Sequence, residues 1–255
     1  GTLKLASSEE IATLAGSGAV NLQSNVLTLS GANNAVYAGV MSGAGSLVKS
    51  GSGVLTLAGT NTMSGGASLS AGTVLVGDDA AFGTGVVVFS GGKIASDGAT
   101  ARTLVNALAL SGSLAMGDGT NTGAMTFSGN AALTGATTLT VASGVTMSGV
   151  VSGANDLTKA GSAELTLSGA NTFSGATDGG TLTLSGGNAL VNAMAVTVNA
   201  GGTLKLASSE EIATLAGAGA VNLQGNVLTL SGSANTVYSG LMSGSGSLVK
   251  GGSGA

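Results

Sequence analysis

The residues that could do chemistry in this chain are carboxylates, because imidazole and thiol groups are missing. There is no His and no Cys among the 255 residues. That removes an imidazole base, a thiolate nucleophile and the common zinc ligands. Three adjacent acid pairs remain, Glu9-Glu10, Asp78-Asp79 and Glu210-Glu211. Cleavage by two carboxyl groups needs both to converge on one bond. Neighbours along a strand point to opposite faces, so these pairs read as acids that keep turns solvated. Lys93, Asp97 and Arg102 lie close together in the sequence. Acids and bases in one groove would suit a polysaccharide-cleaving coil, but a charged turn at a coil edge is the favoured reading. Gly117-Asp118-Gly119-Thr120-Asn121 invites a calcium reading. Calcium-binding nonapeptides repeat their Asp on successive turns, whereas Asp118 stands alone. Gly83-Thr84-Gly85 lacks the helix and the Lys-Ser/Thr of a phosphate loop. Rows of outward Thr could bind ice, yet Thr137-Thr138-Leu139-Thr140 and Thr181-Leu182-Thr183 are only local. No catalytic, cofactor-binding or metal-binding residue is therefore assigned, no cofactor is expected, and the chain does not read as an enzyme.

Composition narrows the class further. Net charge is −4 and the 7 basic residues are scattered, so no stripe exists to neutralise phosphates. Nucleic acid is not an expected partner, and neither is a small-molecule substrate. The chain is 43% apolar and only 7% charged, the opposite of a disordered sequence. It has 47 Gly but no Pro and no three-residue period, which excludes collagen. With 4 Phe, 2 Tyr and no Trp, the core must be built from Val, Leu, Ile, Ala and Met. Small side chains stacked in rows suit such a core. No apolar run approaches the length of a membrane-spanning helix, and none of these residues reads as a signal peptide.

The elements that must position these residues are short strands. Val26-Leu27-Thr28-Leu29, Val54-Leu55-Thr56-Leu57, Val74-Leu75-Val76 and Val86-Val87-Val88-Phe89 alternate with period two, as strands with one buried face do. Gly, Ser, Asn and Asp fill the gaps and favour turns. Ser8-Glu9-Glu10-Ile11 could cap a helix, but the run after it is too short to sustain one, so a strand after a charged turn is expected.

One long stretch is written twice. Gly1-Thr2-Leu3-Lys4-Leu5-Ala6-Ser7-Ser8-Glu9-Glu10 returns as Gly202-Thr203-Leu204-Lys205-Leu206-Ala207-Ser208-Ser209-Glu210-Glu211, 201 residues on, and the match holds to Gly53 and Gly254. Tyr37 and Tyr238 are equivalent by this offset; each reads as a coil-corner filler before it reads as an exposed contact. A register kept so long without insertion marks a repeat array. Residues 1–255 read as one continuous solenoid segment, with 1–201 one unit and 202–255 the start of the next. Both ends fall inside a repeat, which predicts an excerpt from a longer protein. The fold expected is all-β, a parallel β-helix of three strands and about 22 residues per coil, 11 or 12 coils and about 55 Å long at the inter-strand spacing. A smaller echo, Gly43 to Gly65 and Gly153 to Gly175, is offset by 110 residues, with a third start at Gly244. Its unequal spacing suggests whole coils gained or lost.

Gly45-Ser46-Leu47-Val48-Lys49-Ser50-Gly51-Ser52-Gly53-Val54-Leu55-Thr56-Leu57-Ala58-Gly59-Thr60-Asn61-Thr62-Met63-Ser64-Gly65-Gly66 resembles the autotransporter passenger-associated β-strand repeat. Met63 stands where that repeat usually has an aromatic, and Phe173 keeps it in the other copy. The resemblance implies a right-handed parallel β-helix displayed outside a Gram-negative cell. The function expected is a structural extracellular fibre or cell-surface stalk of tandem units, with other copies of itself as partner. The alternative is an adhesin-type passenger that binds host or neighbouring cells or matrix.

Overall fold

The computed structural model describes residues 1–192 and 194–255. Among them there is no helix, and every strand pairing is parallel. The chain winds as a right-handed β-solenoid of about 12 turns with about 20 residues per coil. Coils are thus two residues shorter than the sequence suggests, because several turns close in fewer residues than expected. Steps along the first face run Leu27, Leu47, Ala67 and Val87, 20 residues each. They lengthen at Leu108 and Ala131, where the pairing shifts register between Leu110 and Gly112.

Each coil carries three faces. In one coil these are Val26–Leu29, Ala35–Tyr37 and Met41–Ser42. The alternation read in the sequence is the alternation of burial: in Val54–Leu57, Leu55 and Leu57 are buried while Val54 and Thr56 are partly open. Inward rows of Leu, Val, Met and Ala form one continuous core from Leu5 to Leu228. Each such Leu or Val contributes about 1.5–3 kcal/mol when covered, but only a neighbouring coil can cover it. Stability therefore accumulates as nearest-neighbour terms along the axis. Glu9–Ile11 is a strand and no helix starts there, but the strand lies on the two acids expected in a turn, and residues 12–15 after it are in no strand.

The smaller echo does not follow whole coils. Ser46–Lys49 lies on the first face, stacked on Val26–Leu29. Its counterpart Asp156–Ala160 stacks on Thr137 to Thr140, which is the second face of the preceding coil. The motif has moved on by one face between copies, because a Lys-Gly corner fits any edge of a three-sided coil. The 201-residue recurrence behaves differently: Glu9–Ile11 and Glu210–Ile212 both lie on the first face, next to their equivalent strands Val26–Leu29 and Val227–Leu230.

Candidate functional site

The charged residues singled out by sequence are drawn into local pairs. Lys93 Nζ lies 2.7 Å from Asp118 Oδ2, and Arg102 Nη2 lies 3.0 Å from Asp97 Oδ1. Asp118 also accepts the backbone N–H groups of Thr120 and Asn121, so it organises its own turn. The Lys93 hydrogen bond, then that of Thr120, holds its carboxyl below the usual range. A general acid needs the reverse shift. Asp78 accepts from Thr60 Oγ1 and from the N–H of Ala80, while Asp79 accepts from the N–H of Thr103. These acids hold turns, as expected. Gly83 lies in the turn before Val87–Phe89 with φ +64°, and no group of three or more metal-binding side chains occurs among the described residues.

Two acid pairs depart from the expectation, since Glu9-Glu10 and Glu210-Glu211 both lie in strands. Glu210 is 3% exposed, inside the coil rather than in a solvated turn. Its carboxylate accepts from the N–H groups of Ala189 at 3.1 Å and Leu190 at 3.5 Å, and from Ser208 Oγ. Burial raises its pKa, opposed by these hydrogen bonds. The inward position follows from strand alternation, with Glu210 and Ile212 buried around Glu211.

Buried polar side chains elsewhere also join coil to coil. Asn61 accepts from the N–H of Met41 at 2.7 Å and donates to the carbonyl of Ala81 at 2.6 Å, so it spans three coils. Asn171 does the same between Val151 and Ala189. Lys159 is buried, and its ammonium donates to the carbonyls of Ala160, Gly161 and Gly179. Burial lowers its pKa to about 8. Lys49, buried likewise, donates to the carbonyl of Gly51. Tyr37 fills a corner, as expected, and donates to the carbonyl of Gly18; Tyr238 repeats that bond with Gly219.

Threonine rows that read as only local in the sequence include one sustained column. Thr103, Thr126, Thr146, Thr166 and Thr183 stand in register over five coils of the third face. Lys205, Asn222 and Ser243 continue it. Thr183 donates to Glu164, which also lies 3.5 Å from Lys205.

These features describe a β-solenoid whose polar groups serve its own backbone. Residues 47–76 and 157–178 match the passenger-associated-transport-repeat, so this chain carries that repeat at two places. The first match covers the Lys49 corner, and the second runs from the Lys159 corner past Asn171. Repeat and solenoid together support an autotransporter passenger domain. No curated protein and no solved structure matches the chain.

Proposed function

We propose that the chain is a length of extracellular stalk or fibre, displayed on a Gram-negative cell and extended through tandem units. What carries this reading is the 201-residue recurrence, which brings the same sequence back to the same face of an unbroken stack. A rod in which each coil shelters the edge of the last gains length without a larger core. Its buried polar groups, Glu210, Asn61, Asn171 and Lys159, all face neighbouring backbone and not a cleft. An adhesin would display a ligand-binding loop that interrupts the coil rhythm. The register shift near Leu110 is a small interruption, and its turn at Asp118 is closed by Lys93. The stalk is therefore the better-supported role, and for a polysaccharide-cleaving role Asp97 and Asp118 are each already paired with a base.

Antibody labelling of intact producing cells, imaged by cryo-electron tomography, tests the proposal. Label on slender surface projections is the expected result. Label confined to the cell interior, or to compact surface bodies, would overturn it.

A further inference from the structure

One side of the stack carries no charge through its middle coils. Thr28, Val48, Ser68, Val88, Ala109 and Ala132 stand in register over six coils of the first face. Strand alternation turns them outward, between buried neighbours such as Leu47 and Phe89. The outward positions two residues to either side, from Val26 and Ser30 to Asn130 and Thr134, are also uncharged in all six coils. Lys49 is the one charged residue in these strands, and it is buried inside the coil. The acids of the same coils lie elsewhere: Asp79 and Asp97 bond Thr103 and Arg102 of the third face, and Asp118 bonds Lys93.

The relief of this face matches itself. Val86 and Val88 are 49% and 42% exposed and form a ridge. The row before them has Gly66, buried and without a side chain, and the partly open Ser68. The row after them has Ala107 and Ala109. A two-fold axis normal to the face, placed between the Ser68 and Val88 rows, lays each copy's valine ridge on the other's Gly66-Ser68 row. The same operation sets Val48 against Ala109 and Thr28 against Ala132. A larger side chain thus meets a smaller one at every step, as an isologous contact requires.

We propose that this face pairs side by side with the same face of a second copy, the two rods running antiparallel. A charged partner would find no counter-charge here and would lose its hydration without return. A second copy brings an uncharged face of fitting relief and keeps its own carboxylates on the far sides, which matters in a chain of net charge −4. Six rows about 4.8 Å apart, with three outward positions about 6.7 Å apart, give roughly 600 Å² per copy. A pair then buries about 1,200 Å², the low end of specific interfaces, so the contact is reversible. It is lateral and does not require the stalk reading.

Sedimentation velocity of the full chain, from low to high micromolar concentration, tests the pairing. Dimer should grow with concentration. Val88→Lys should weaken it about tenfold or more, because an ammonium is then buried without a partner. Thr126→Lys, which adds the same charge on the third face, should leave it unchanged. The chain has no Cys, so single thiols report orientation. Ser68→Cys chains mixed with Val88→Cys chains should join through a cross-linker of about 10 Å, the spacing of stacked sheets, several-fold faster than either variant alone. Monomer at every concentration would overturn the pairing, and a dimer indifferent to Val88→Lys would overturn the face. Equal cross-linking of the mixture and the single variants would overturn the antiparallel register.

Discussion

The Lys159 ammonium lies 2.7 Å from the carbonyl oxygen of Gly161, two residues ahead in the chain. Lys49 bonds Gly51 in the same way at a different face of the coil. A cation is thus held inside the stack by backbone carbonyls. Its folded pKa, about 8, lies below the ordinary value of 10.5. Between those values the unfolded chain holds more protons than the folded one, so stability should rise with pH from about 8 to about 10.5. The gain should be on the order of 2–3 kcal/mol. Denaturant unfolding at pH 7.5 and pH 10 measures it, and Lys159→Met should remove most of the difference.

Glu210 gives the opposite slope. Burial raises its carboxyl above the ordinary value, so its contribution is greatest below that ordinary value and is lost as pH rises through the raised one. Unfolding of the chain followed from pH 4 to pH 7 should show falling stability from this group, and Glu210→Gln should flatten that part of the profile. A Glu210→Gln chain with the parent's slope would show that the carboxyl titrates as an ordinary one.

Asn171 ties three backbone groups, the N–H of Val151 and the carbonyls of Gly169 and Ala189. Truncation leaves the N–H of Val151 and the carbonyl of Gly169 without this partner, and the carbonyl of Ala189 keeps only the Asn171 N–H at 3.3 Å. Asn171→Ala should cost about 2–4 kcal/mol, measured by denaturant unfolding. Amide exchange should quicken first over residues 151–190.

Gly149 sits where two coils come close, and a methyl group built on it would run into the carbonyl of Gly129. Gly149→Ala must push two backbones apart and should cost about 2–4 kcal/mol. At Gly119 a methyl group would meet nothing within 4 Å, so Gly119→Ala should stay within about 0.5 kcal/mol of the parent. Thermal unfolding of the pair gives the comparison.

Local pattern and long repeat are readable because both are written along the chain. Val54 to Leu57 alternates in sequence and in burial alike. Turn length is not written there, so the coils expected from sequence are two residues too long. The threonine column is invisible for a related reason: Thr126 and Thr146 are 20 residues apart, Thr166 and Thr183 only 17, and only pairing register aligns them. Glu210 misleads because two adjacent acids suggest a turn. A strand turns one of them inward, and whether that one is tolerated depends on donors some 20 residues earlier at Ala189 and Leu190. The echo at Asp156 suggests whole coils because sequence offset does not reveal which face a motif occupies.

The 201-residue recurrence returns to its starting face after ten coil steps, from Glu9 through Leu108 and Val151 to Glu210. No fraction of a turn is left over between units, unlike the 110-residue echo. Anything fastened to one edge of a unit would therefore recur along a single line, like graduations on a ruler, at intervals of about 48 Å. A row of weak attachments spaced in this way would face one flank together, and binding by many of them at once would be a matter of geometry alone.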